Sequence, residues 1–186
     1  MFSQAWPFDS GRGRIAYRVD NGSLSVSSGL IELTVGDLEA YGKLFVNLPR
    51  VREQQTWGLT LGVSNIELLE ADRFVPNTVP LELVTWMKSA IQGGSSLETA
   101  LTIHGSLFRG SPAVRKAHDL FFKVEDGVVD YQAGWPPLEA LVATVHVNNY
   151  FVRSNTAAGR IYDSSLSSEI VDVPISVLGK VDTVLV

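Results

Sequence analysis

The side chains that carry most enzyme chemistry are sparse in this sequence, and none falls into a catalytic arrangement. The three histidines, His104, His118 and His146, lie far apart. They lack the i, i+4 spacing that places two imidazoles on one helix face around a metal. His104 and His146 each sit in an alternating run, on the side opposite the apolar residues, which suits solvent-facing positions better than ligands. No cysteine is present, which removes disulfides, thiolate metal sites and cysteine nucleophiles together. No G-x-S-x-G elbow, phosphate loop or dinucleotide fingerprint occurs. Gly11-Arg12-Gly13-Arg14 is a short glycine-basic run with no strand-to-helix unit behind it and reads as a loop. Asp126, Asp130 and Glu139 are the most clustered carboxylates, as a glycoside-cleaving pair would need. Turn and strand-edge roles account for each of them. The expectation is a non-enzyme with no metal site and no cofactor.

Aromatic residues offer a second kind of chemistry, since four Trp, eight Phe and five Tyr could form a platform for a sugar ring. Trp57 is in phase with Leu59 and Leu61, and Trp86 sits on the one helical segment, so packing in a core or groove explains both. Asn21-Gly22-Ser23 has the form of a glycosylation sequon, but it coincides with a tight-turn dipeptide between two alternating runs.

Composition narrows the partners. The 186 residues carry 15 Lys and Arg against 20 Asp and Glu, a net charge of −5. Nucleic acid is excluded as a partner, because phosphate binding needs massed Lys and Arg. Charged residues make up 19% of the chain, below the roughly 25% of an average domain. The start, Met1 to Trp6, lacks the basic and apolar regions of a signal peptide. Apolar stretches are interrupted short of the about 18 residues a spanning helix needs. An export signal would belong to a longer parent chain. The closing run Val181 to Val186 alternates like a strand without a stop, as expected of a piece of such a chain.

The elements that must position any site are strands. Ile15, Tyr17 and Val19 alternate with polar residues up to the Asn21-Gly22 turn, followed by Leu24 and Val26, then Ile31, Leu33 and Val35. Leu38, Ala40, Gly42, Leu44, Val46 and Leu48 share one face opposite Glu39, Tyr41, Lys43, Phe45 and Asn47, and Pro49 ends the run. Trp57, Leu59, Leu61 and Val63 form the next face. Leu101, Ile103 and Leu107 follow, then Leu120, Phe122 and Val124 up to a turn at Glu125-Asp126-Gly127. A short strand through Val129 and Tyr131, a run through Leu141, Ala143, Val145 and Val147, and one through Val171, Val173, Ile175 and Val177 complete the set. One segment, about 80–92, has helical spacing instead, with Leu83, Met87, Ala90 and Ile91 on one side and Trp86 adjoining. Pro80 opens it and Gly93-Gly94 ends it. The fold class expected is mainly β: an antiparallel, twisted or groove-like sheet with one short amphipathic helix. It is read as a single segment of a larger protein, with sheet regions at about 13–73 and 97–186.

The most specific stretch runs from Val124 to Leu141. It reads as a strand, a turn, a short strand and then a rigid corner of Gly134, Trp135, Pro136 and Pro137. The two prolines fix φ and strip two donors from the backbone, and Trp135 is expected to pin the corner by packing. Together with Leu101, Ile103, Gly105 and Leu107, and with Asp126-Gly127, Asp130-Tyr131 and Leu138, this stretch resembles the large AsmA-like envelope proteins of Gram-negative bacteria, of the YhdP type. The resemblance extends from about Val79 to Val186. It implies a bridge-like lipid transporter: a parent chain anchored in the inner membrane, crossing the periplasm with an extended sheet whose apolar inner face shields phospholipid or another acyl-chain lipid. The expected groove lining is Leu101, Ile103, Leu107, Phe122, Tyr131, Val145 and Val147. A continuous lining is what such cargo requires, because at about 0.8 kcal/mol per methylene two chains of about 16 carbons cost more than about 20 kcal/mol to expose. The alternative is a non-catalytic envelope scaffold or interaction module, since an apolar sheet face is more often a core.

Overall fold

The computed structural model describes residues 8–36, 38–74, 81–108, 110, 116–168 and 171–174. It is an open, antiparallel sheet of twelve strands, not closed into a barrel, with one α-helix among the described residues. The strands are β1 (Ser10–Arg12), β2 (Ile15–Asp20), β3 (Ser23–Ser28), β4 (Ile31–Val35), β5 (Leu38–Leu48), β6 (Thr56–Glu67), β7 (Ile91–Ser106), β8 (Ala117–Val129), β9 (Leu138–Asn148), β10 (Phe151–Ile161), β11 (Ser164–Ser168) and β12 (Val171–Pro174). A 3-10 segment, Leu68–Phe74, and helix α1, Leu81–Ala90, lie between β6 and β7. The hydrogen-bonded order is β1-β4-β5-β6-β7-β8-β9-β10-β11, with β3 also beside β5, β2 outside β3 and β12 beside β10. Two compact units divide the chain: a first of Pro7–Ser64 and Thr99–Leu120, and a second of Met1–Trp6, Asn65–Glu98 and Phe121–Val186.

In the first unit the turns do what their residues dictate. Asn21 and Gly22 hold φ of 46° and 76°, the left-handed pair of a two-residue hairpin whose twist matches the strands it joins. They set the β2–β3 register from Asp20↔Ser23 to Ile15↔Ser28. The long run 38–48 is β5, ended before Pro49 as expected. One edge of β5 is shared, β4 pairing with Leu38 to Gly42 and β3 with Phe45 to Leu48. The glycine-basic run differs from the loop reading: Ser10–Arg12 is a strand on β4, held there by the ladder and by Arg12 Nε donating to Glu32 Oε2 at 3.0 Å.

In the second unit the buried centre is Leu68, Val124 and Ala143, with Ile91, Phe122, Leu141, Val145 and Ala157 packed against it. Leu68 comes from the 3-10 segment, so this apolar face is covered by chain from outside the sheet. Helix α1 lies within the expected 80–92 but stops at Ala90; Pro80 lies outside the described residues. Gly93-Gly94 does not end it, because β7 begins at Ile91 and runs through both glycines. Ala90 is 1% exposed while Trp86 is 45% exposed. Trp86 therefore faces away from the packed side instead of serving a core or groove.

Glu125-Asp126-Gly127 is likewise no turn. β8 continues through it to Val129, and Tyr131 lies beyond the strand instead of in a short one of its own. Asp126 has φ of 50° and Ala140 on β9 has φ of 50°, the signature of bulges that bend a strand without ending it. Gly94 on β7 has φ of 105°, and a Cβ there would stand 2.6 Å from the Gly127 Cα. A Cβ on Gly127 would stand 3.2 Å from that of Leu141, and the β9–β10 ladder shifts register between Ala158 and Arg160. These irregularities fall on four successive strands and form one crease.

The corner at 134–137 is a turn, as read, with Gly134 at φ 83° and Trp135 N–H donating to the Gln132 carbonyl at 3.1 Å. Trp135 does not pin it by burial: the indole is 56% exposed, its ring 6.3 Å from that of Tyr131. The strand-like run expected at Val181 to Val186 lies outside the described residues.

Gly94→Ala forces both a left-handed alanine and a backbone clash, so its expected cost is about 2 kcal/mol or more. Gly36→Ala places an alanine at φ 58°, inside the left-handed α region and so less strained than at φ 105°, with nothing within 4 Å of the new methyl, and is expected to cost about 1 kcal/mol. Urea unfolding of both variants checks the difference; equal losses would remove steric contact at the crease as the cause.

Candidate functional site

Cross-strand partners point to the same side of a sheet, so the printed registers of the first unit define its faces row by row. Val19, Leu24 and Leu48 form one row, and Tyr17, Val26, Val46 and Trp57 the next. Leu44 pairs with Leu59, Ile31 meets Gly42 and Leu61, and Leu33 meets Ala40 and Val63. Every side chain larger than glycine in these rows is apolar. The face spans four strands from β2 to β6, about 14 Å at about 4.8 Å per strand.

Burial along this face is graded. Leu61 and Val63 are 7% and 4% exposed, whereas Ile15, Tyr17 and Val19 on β2 are 67%, 77% and 69% exposed. Val26, Val46, Leu44 and Trp57 are half-buried. No α-helix belongs to this unit among its described residues, in contrast to the second unit. Leu61 and Val63 are therefore the packed end of this face, and β2 is the end where its apolar side chains meet water.

The residues expected to line a groove fall in both units. Leu101 and Ile103 are on β7 in the first unit, 4% and 5% exposed, and Leu107 lies just past the strand at 45%. Phe122 on β8 and Val145 on β9 pack against the Leu68–Val124–Ala143 cluster of the second unit. Val147 pairs with Val152 across β9 and β10, and Tyr131 is half-buried beside Trp135. A pocket of about 200 Å³ in the second unit is lined by Leu68, Leu69, Ala71, Val84, Met87, Lys88 and Ile91. The row through Tyr17, Val26, Val46 and Trp57 was visible in the sequence as alternation, but nothing there marked its Tyr17 end as the one exposed to solvent.

The opposite face of the first unit is polar. Tyr41 donates to Glu39 Oε2 at 2.7 Å; that bond, then the charge of Glu39, raise the phenol above its ordinary value of 10.0. Thr60 and Thr102 bring their hydroxyls to 3.5 Å. Asp126 and Glu139 are exposed, and the Asp130 backbone N–H donates to the Ala90 carbonyl at 2.7 Å. His146 stacks edge-on against Phe121 at 4.9 Å. Among the described residues no group of three or more His, Asp or Glu is placed to hold a metal ion.

A family model described as YhdP protein matches residues 1–186. The chain belongs to the YhdP family. The match takes in the first unit as well as the second, and so reaches further than the resemblance from Val79 onward. Comparison with curated proteins gives no match, and comparison with solved structures gives none. Among the described residues of this YhdP-family chain, no helix is long and apolar enough to cross a membrane.

Two outcomes follow. Leu101→Ala should cost about 2–5 kcal/mol as a buried leucine, and Tyr17→Ala within about 0.5 kcal/mol as a surface change, by denaturant unfolding. A large loss at Tyr17 would show that its face is covered. His118 is held below 6.5 by burial, partly opposed by Asp119, so the unfolded chain binds the proton more readily. Stability present above pH 6.5 should decline as pH falls below it, and His118→Asn should flatten that slope in pH-dependent melting.

Proposed function

We propose that this chain is a lipid-contacting segment of a periplasmic transport protein, its open apolar face accommodating the acyl chains of phospholipid. Membership of the YhdP family points to an envelope-related, AsmA-like protein, and the finer reading rests on one observation. The first unit presents an apolar face, Tyr17–Val26–Val46–Trp57 and its neighbouring rows, that rises to more than two-thirds exposure at β2. A soluble domain that leaves such a face wet forgoes about 25 cal/mol for each Å² it does not bury, and an acyl chain restores that burial. The strand is long enough: β5 has 11 residues, about 36 Å, more than the about 15 Å that one leaflet's acyl chains span.

In this reading the chain is non-catalytic, and the exposed positions of Asp126 and Glu139 are consistent with that role. The parent protein would be held in the inner membrane by a segment outside this chain, with the sheet in the periplasm contributing to outer-membrane homeostasis.

The test is native mass spectrometry of the purified 186-residue chain with lipid extraction from the same preparation. Phospholipid should co-purify, and Tyr17→Asp with Val26→Asp should abolish it while circular dichroism stays unchanged. A lipid-free wild-type chain, or lipid retained by the double variant, would shift the reading to a scaffold whose edge strand β2 adds to a partner's sheet.

A further inference from the structure

The outer edge of β2 carries a second recognisable surface, independent of the lipid reading. Strand β2 is bonded to β3 alone, and its register fixes which backbone groups that pairing uses. In an antiparallel ladder, residues bonded to the partner alternate with residues whose N–H and C=O point the other way. The Gly29 N–H donates to the Arg14 carbonyl at 2.9 Å, so Arg14, Ala16, Arg18 and Asp20 turn their backbone groups toward β3. Ile15, Tyr17 and Val19 turn theirs outward, where no described strand takes them. Every residue of β2 is exposed. The strand has no proline, and its register with β3 is unbroken from Ile15 to Asp20. It therefore lacks the prolines and bulges that commonly keep a bare edge from recruiting another strand.

The side chains say what such an edge recruits. Arg14, Ala16, Arg18 and Asp20 lie on one side of it, opposite Ile15, Tyr17 and Val19. None of Arg14, Arg18 and Asp20 forms an ion pair with a described residue. An antiparallel partner must bring outward groups against outward groups. With Tyr17 of one copy opposite Tyr17 of a second, Ile15 meets Val19, and every outward N–H and C=O of both strands is bonded. That register also sets Arg14 against Asp20 at each end and Arg18 against Ala16. Opposite charges facing each other across strands stabilise the pairing, and like charges oppose it. Slipping by two residues sets Arg18 against Arg18 in one direction and against Arg14 in the other, so the charges select one register. The edge strand at the other end of the sheet order, β11, has no charged residue to meet these arginines.

We propose that a second copy of this chain pairs through β2, antiparallel about a two-fold axis at Tyr17, with Arg14–Asp20 contacts fixing the register. Partners across strands share a side of the sheet, so the pairing joins the Ile15–Tyr17–Val19 faces of the two copies.

Sedimentation equilibrium of the 186-residue chain should show a reversible monomer–dimer equilibrium that ends at the dimer. Asp20→Arg, which sets arginine against Arg14, should weaken it by roughly fivefold or more. Arg14→Asp combined with Asp20→Arg should restore most of the affinity, with circular dichroism unchanged in both. The chain has no cysteine, so Tyr17→Cys introduces one thiol, which the two-fold axis brings to a Cα separation of about 5.5 Å from its counterpart. That variant should form a disulfide-linked dimer on mild oxidation, and Val19→Cys, which faces Ile15, should not. A chain that stays monomeric would overturn the proposal and leave the edge to a strand from another source. Growth beyond the dimer, no rescue by the double charge reversal, or equal crosslinking through Val19→Cys would each overturn it as well.

Discussion

Each strand of this sheet puts its apolar side chains on one face, and such a face is costly to leave in water. In the second unit the cost is met locally. The 3-10 segment delivers Leu68 onto Val124 and Ala143, with Ile91 from the start of β7 beside it. In the first unit the same alternation yields an equally apolar face, yet no α-helix belongs to that unit among the described residues. There burial is graded along the face: Leu61 and Val63 are buried, and Tyr17 at the edge stays wet. The functional reading turns on that difference in covering, because the two faces do not differ in kind.

The backbone imposes its own constraint. Sheets of many strands twist, and bulges are the means of bending one strand without breaking its ladder. The crease through Gly94, Asp126, Ala140 and the shifted register at Ala158 shows this at work. A Cβ on Gly94 would strike the Gly127 backbone, and one on Gly127 would strike Val124 Cγ1 and crowd Leu141, which explains two glycines inside strands where their conformational entropy is otherwise a liability. Leu141 and Val124, flanking the crease, carry the apolar face on either side of it, so the cluster around Leu68 sits beside the bend.

How much of this was legible in the sequence depends on which signal is asked. Period-2 alternation named the faces of β2 to β6 correctly because only a strand puts residues 38, 40, 42, 44, 46 and 48 on one side. Asn21-Gly22 and Pro49 placed their boundaries for the same local reason. Glu125-Asp126-Gly127 misled because a bulge and a turn need the same left-handed residues; only the strands on either side, at Gly94 and Leu141, decide between them. Trp135 misled because a large aromatic next to two prolines suggests an anchor, whereas its single ring neighbour is Tyr131 and the indole stays in solvent. Alternation also cannot say which apolar face receives a cover, since that is decided by residues such as Leu68 that lie outside the strands.

The two sides of the first unit therefore follow from one rule applied to both parities. Odd positions on β6 and even ones on β5 supply hydrocarbon; their neighbours supply hydroxyls, Lys43 and a ring held over glycine. On the apolar side Ala40, Leu61, Val63, Leu101 and Ile103 are buried, while Lys43, Phe45, Thr60 and Thr102 on the polar side stay in solvent. Gly58 is where the two demands meet. Its lack of a side chain leaves room for Phe45 on the polar face, while its neighbours Trp57 and Leu59 hold the apolar rows on the other. A substituent at that one position would displace the ring without touching the hydrocarbon surface, so the two faces of the sheet can be altered separately.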